Sequence, residues 1–157
     1  MKKLKNPYSD MDGHNCFGCA DNNSCGLQMK FYEDEEKIFC IWDPKDHLQG
    51  YFNVLHGGVQ ATLMDEIASW VVFIKLETAG VTSQMQIKYL KPLYTNKGKI
   101  RIEARLNKMK KNIAIIRTEI YNNKSQLCSE AELYYFTFSR EKAKKHLKYP
   151  GKEAFYE

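Results

Sequence analysis

Apolar and polar residues change their period along this chain. Val81 to Lys91, Lys99 to Lys108, Ile113 to Tyr121 and Leu127 to Phe138 are rich in β-branched and aromatic residues and predict strands. Asn96-Lys97-Gly98, Lys110-Lys111-Asn112 and Asn122-Asn123-Lys124 supply the turns, and links this short favour an antiparallel sheet. Upstream, Gly26 to Tyr32 alternates apolar with polar and Lys37 to Trp42 does so more weakly, with Glu33-Asp34-Glu35-Glu36 between them as a hairpin turn. Pro44 to Phe52 reads as loop, and Gly57 to about Leu76 as one long helix.

At about 100° per residue, Val59, Leu63, Ile67, Trp70 and Ile74 form a stripe that should lie on a sheet. Ala61, Met64, Ala68 and Val72 form a second face with Asp65 on its edge, and a helix apolar nearly all round is buried on both sides. One long helix and about six strands predict an α+β domain, an antiparallel sheet wrapped around a central helix. A sheet covers one side of such a helix, so a second copy of the chain is the expected cover for the other, with Ala61 and Ala68 allowing close approach.

Chemistry concentrates at the start of this helix. In His56-Gly57-Gly58 the glycines let a ligand approach the backbone, and first-turn amides favour a negative oxygen. Asp65 follows the histidine by nine positions, a carboxylate on a helix of low polarity. A Gly-Gly pair or an acidic pair alone is commonly a turn or a solvated face, and only their coincidence points to a site. Gly57 and Asp65 are about 12 Å apart along the helix at 1.5 Å per residue, too far to grip one carbonyl group. The expectation is a site that joins the helix start of one subunit to the carboxylate of another.

Length adds that 157 residues suffice for one domain, residues 1–157, with an N-terminal arm over 1–25 and a tail over 140–157. The net charge of +5 mildly favours anionic partners, but much of the excess sits at the ends, read as solvated tails. No basic stripe interleaved with aromatics supports nucleic-acid binding. No apolar run approaches the roughly 20 residues of a membrane span, and the N-terminus lacks a signal-peptide core, so a cytoplasmic protein without membrane contact is expected. An odd count of five cysteines then argues for free thiols.

Three segments carry a family resemblance: Cys16-Phe17-Gly18-Cys19 followed by Gly26-Leu27; His56-Gly57-Gly58 with Asp65-Glu66; and Gly80-Val81-Thr82 leading into Tyr89-Leu90-Lys91-Pro92. In these the chain resembles hotdog-fold acyl-CoA thioesterases of the phenylacetate-degradation type, in the hydroxybenzoyl-CoA thioesterase superfamily. The resemblance implies hydrolysis of a coenzyme A thioester at the interface of a homodimer, often a dimer of dimers, with coenzyme A part of the substrate and no further cofactor. Asp65 would be general base or nucleophile, the two routes remaining open. The Gly58 or Gly57 amide would polarise the carbonyl, His56 would orient the loop or the thioester, and Thr82 would hold the attacking water. Glu66 is the rival carboxylate, on the flank of the sheet-facing stripe. Lys91, Lys110 and Lys111 are candidates for the coenzyme A phosphates, and Trp70 or Phe73 for the acyl pocket.

His14, Cys16, Cys19 and Cys25 have the ligand types of a small zinc site. All four lie within 12 residues, however, where structural zinc generally draws on two separated pairs. The expectation is no metal, the loop serving to pack the arm, with Cys40 and Cys128 as core fillers. Two other functions compete with hydrolysis. Hotdog acyl dehydratases pair a histidine with a carboxylate at a different spacing, and a non-catalytic acyl-CoA binding or regulatory protein would have little use for an intact Asp65.

Overall fold

Strands β7 (Ile100–Lys110), β8 (Ile113–Tyr121) and β9 (Leu127–Thr137) form the antiparallel centre of a computed structural model that describes all residues 1–157. They arise where the period predicted them. The turns are local chemistry: Lys111 takes a left-handed φ of 56° between β7 and β8, and Asn122 Oδ1 accepts from the Lys124 and Gln126 amides before β9. With β1 (Lys2–Lys3), β2 (Tyr32–Asp34), β3 (Lys37–Trp42) and β6 (Gly80–Tyr89) they make a seven-stranded sheet in the order β1-β2-β3-β7-β8-β9-β6. Helix α1 (Gly57–Lys75) lies across it. β4 (Gln49–Tyr51), within the segment read as loop, and β5 (Val54–Leu55), just beyond it, pair separately before α1.

The predicted strand over Gly26 to Tyr32 does not form; only Tyr32–Asp34 joins the sheet. Its alternation is nevertheless meaningful, since Leu27, Met29 and Phe31 are buried. Gln28, at φ 51°, breaks the extension, and Leu27 and Met29 donate their amides to Phe17 and Gly18 of the cysteine loop rather than to a strand. The turn that follows is shorter than expected, Glu35-Glu36, with Glu35 at φ 48°.

The C-terminal segment is likewise not a solvated tail. Arg140–Leu147 forms α2, capped by Ser139, and the chain then turns back so that Tyr149 and Phe155 are buried. Phe155 packs edge-on to Trp70 at 5.4 Å and stacks on Phe73 at 5.4 Å, while the Tyr149 hydroxyl donates to the Phe73 carbonyl at 2.8 Å. Arm, tail and sheet together cover more of α1 than the sheet could alone. Met64, Ala68 and Val72 are buried within the chain, so the second face is not free for a partner. What stays open is the next stripe round, Gly58, Thr62, Asp65 and Ser69.

β6 ends the sheet and has no neighbour on its outer side. All but three of its residues are exposed, and Val81, Tyr89 and the adjoining Leu90 present large apolar surface there.

Candidate active site

Asp65 projects from the open stripe of α1 toward the junction of β6 and β9. Thr82 and Tyr135 are Cα partners across those strands, and both hydroxyls reach the same carboxylate oxygen. Thr82 Oγ1 donates to Asp65 Oδ1 at 2.6 Å, and Tyr135 Oη lies 2.7 Å from Oδ1 and 2.7 Å from the Asp65 carbonyl oxygen. The carboxylate is therefore held by one oxygen, and Oδ2 accepts no bond from the chain. Burial, and then the Asp65 charge, push the Tyr135 phenol far above its usual range, which keeps it a donor. Thr82 was expected to hold a water; here it holds the carboxylate directly.

Tyr135 was not foreseen. Its signal was the inward position in β9, where Leu133 and Tyr135 are buried while Tyr134 and Phe136 face outward. A tyrosine on that side needs a hydroxyl partner.

The helix start is built differently from the expectation at one atom. His56 is the N-cap, and its Nδ1 accepts the Gly58 amide at 2.9 Å, while its carbonyl accepts the Val59 and Gln60 amides. The Gly58 donor is thus already used, because the cap residue satisfies the amides it would otherwise leave free. The Gly57 amide takes no part in these capping bonds. At the same residue the Tyr89 hydroxyl donates to the Gly57 carbonyl at 2.8 Å. β6 is therefore hydrogen-bonded to α1 at two places, through Thr82 at Asp65 and through Tyr89 at Gly57.

The remaining candidates separate. Glu66 points away from Thr82 and Tyr135, into the cysteine loop, accepting from Trp70 Nε1 at 3.3 Å and lying 3.5 Å from Cys16 Sγ. Burial, and then the Cys16 charge, raise its carboxyl to about 7. The proximity of the two thiols draws Cys16 below the usual thiol range and pushes Cys19 above it. Cys25 is exposed and stands apart from the Cys16, Cys19 and Glu66 group. Lys110 and Lys111 lie at the Thr82 end of the sheet, where Ile113 and Val81 share Phe136 as a partner. Lys91 lies at the other end, past Tyr89. A single chain does not bring the three lysines together. Trp70 is core, stacked on Phe31 at 4.2 Å, whereas Phe73 lines a cavity of about 330 Å³ next to the open stripe, with Ser69, Gly80 and Glu66. No helix is long and apolar enough to cross a membrane.

Residues 52–129 match the model of the thioesterase superfamily. That segment contains His56, Asp65, Thr82 and the three lysines, but neither Tyr135 nor the cysteine loop. Among curated proteins, SSO1253 of Saccharolobus solfataricus, whose name assigns it provisionally to the esterases, is 30% identical over 79 residues, 50% of this chain. The chain spans about half of that relative, 51% of its length. Among solved structures, smu.793 of Streptococcus mutans bound to acetyl-CoA superposes with a TM-score of 0.65 at 21% identity, over 71% of this chain and 90% of that one. PaaI of E. coli, from the phenylacetic acid degradation operon, gives 0.65 at 17% identity over 73% and 82%. The fold is the hotdog fold that these structures share, an α+β arrangement of one long helix on a large antiparallel sheet.

Proposed function

We propose that this hotdog-fold chain, matching the thioesterase superfamily over residues 52–129, hydrolyses an acyl-CoA thioester with Asp65 as base or nucleophile. The observation that carries the reading is the Asp65 carboxylate itself, held through Oδ1 by two hydroxyls with Oδ2 unengaged, on the one uncovered stripe of a buried helix. A carboxylate so oriented can take a proton from water as hydroxide adds to the thioester carbonyl. It can equally attack the carbonyl itself, expelling the coenzyme A thiolate and leaving an anhydride that water then opens. Either route builds negative charge on the carbonyl oxygen, which the Gly57 amide at the helix start would stabilise.

Within one chain that amide is about 12 Å along the helix from Asp65, so the reading includes a homodimer. The uncovered edge of β6 supports it. If two copies of β6 pair antiparallel about a twofold axis between Met85 and Gln86, Thr82 of one faces the partner subunit's Tyr89. Because Thr82 bonds Asp65 and Tyr89 bonds Gly57, the same operation sets Asp65 beside the partner subunit's Gly57. It also gathers Lys110 and Lys111 of one chain with the partner subunit's Lys91, at a place suited to coenzyme A phosphates.

The test is thiol release from phenylacetyl-, benzoyl- and straight-chain acyl-CoAs by the purified chain. Turnover of at least one supports the reading. A folded, dimeric protein that binds these thioesters without releasing thiol would overturn it in favour of a binding protein.

A further inference from the structure

The residues that Glu66 and the cysteine loop bring together have no part in the chemistry proposed above. Cys16 Sγ, Cys19 Sγ and a Glu66 carboxylate oxygen all lie within 4.8 Å of one another. The loop is moulded onto that carboxylate: a Cβ on Gly18, between the two cysteines, would stand 2.5 Å from Glu66. It is also fixed from outside, by Leu27 N to Phe17 O at 2.7 Å, Met29 N to Gly18 O at 3.0 Å, and Asn6 Nδ2 to Cys19 O at 3.1 Å. Cys19 is buried and Cys16 half-buried, and the group opens onto the cavity of about 330 Å³. His14 lines the same cavity, and its buried Nδ1 has no hydrogen-bond partner.

We propose that Cys16, Cys19 and Glu66 form a binding site for a thiophilic divalent cation, zinc in the first instance, which fastens the N-terminal loop to α1. The Cys-x-x-Cys spacing chelates through two sulfurs, and zinc bonded at roughly 2.3 Å to sulfur and 2.0 Å to oxygen sets tetrahedral ligand separations of about 3.5 Å. Cys16 and Glu66 already stand at that distance, 3.5 Å, so closure needs only small side-chain movements. Two sulfurs exclude magnesium and calcium, which take oxygen ligands. Drawing one ligand from the helix also answers the crowding that made the loop alone a poor zinc site. The fourth position faces the cavity and its free His14 nitrogen, not Cys25.

Cobalt(II) reports on this site without reference to enzymatic activity. Titration of the reduced full chain is expected to give one equivalent of thiolate-to-cobalt charge-transfer absorption with the intense visible bands of a tetrahedral ion, both removed by zinc. The bands should be lost in Cys16→Ser and Cys19→Ser and kept in Cys25→Ser. Should the serine variants not fold, alkylation of the parent decides: zinc is expected to protect Cys16 and Cys19 while Cys25 still reacts. Absence of the charge-transfer bands, their survival in both serine variants, equal alkylation of all three cysteines with zinc present, or a Cys16–Cys19 disulfide in freshly trapped protein would each overturn the proposal.

Discussion

The Thr82 hydroxyl donates to the Asp65 carboxylate at 2.6 Å, tying the free edge strand of the sheet to the middle of the central helix. The same bond orients the carboxylate and places it beside the one strand left open to pairing.

Replacing Asp65 by Asn keeps the shape and one acceptor oxygen but removes the base or nucleophile. We expect a parental melting temperature and a fall in kcat of roughly 10²- to 10⁴-fold on the best acyl-CoA. Unchanged kcat in a folded Asp65→Asn protein would remove Asp65 from the reaction.

Thr82 and Tyr135 serve one oxygen, so their losses should be coupled. Thr82→Val and Tyr135→Phe are each expected to lower kcat by about 10-fold, roughly the value of one hydrogen bond to a charged group, with KM little altered. The double variant should depart from the product of the single effects. Strict additivity in this cycle would mean that the two hydroxyls act separately.

The helix start offers a clean deletion of one donor. Gly57 is the first helical residue, where proline is well tolerated, and His56 before it already has φ −56° and ψ 134°, the conformation a following proline requires. A Cβ there meets Tyr89 at 3.4 Å, an ordinary contact. Gly57→Pro should fold and lose roughly 10²- to 10³-fold in kcat. Mixed and re-equilibrated with Asp65→Asn, it should recover about a quarter of parental activity, since half the random dimers carry one intact site of two. No recovery despite subunit exchange would mean that Asp65 and Gly57 act within one chain.

Gly18→Ala should destabilise the protein by about 1–3 kcal/mol, because the added Cβ would stand 2.5 Å from Glu66. Chemical denaturation measures it, and combination with Glu66→Ala should restore most of the loss.

Glu33 links three parts of the fold. It accepts from Lys75 at the end of α1 at 2.5 Å and from Tyr156 of the C-terminal segment at 2.8 Å. Burial alone would raise its carboxyl, but these donors outweigh burial and hold it below the usual value. Its contribution is therefore complete above the unfolded value near 4.3 and lost as pH falls through the lower folded value. Glu33→Gln should cost about 1–3 kcal/mol at pH 7 and nothing at the acid end of a denaturation series. An equal cost at every pH would mean that packing, not charge, is lost.

Periodicity along the chain determined the long helix, the last four strands to within a residue or two, and the tight turns that join β7 to β8 and β8 to β9, whereas the Asn96-Lys97-Gly98 link proved part of a crossover, because β6 pairs with β9 and not with β7. These are local: alternation, helical stripes and turn residues act over a few neighbours, and Asp65 was legible because its spacing from His56 lies within one helix. The same rules misread Gly26 to Phe31, where alternating burial is real but the partner is an irregular loop, and Arg140 onward, where a basic surface hides the buried Tyr149 and Phe155. Only the tertiary structure decided the partners of the two adjacent carboxylates. Tyr135 is 70 residues from Asp65 and Cys16 is 50 residues from Glu66. Neighbours on a helix point about 100° apart, so Asp65 faces the open edge of the sheet and Glu66 the cysteine loop. Which environment each meets depends on what the rest of the chain packs against α1, and no local pattern encodes that.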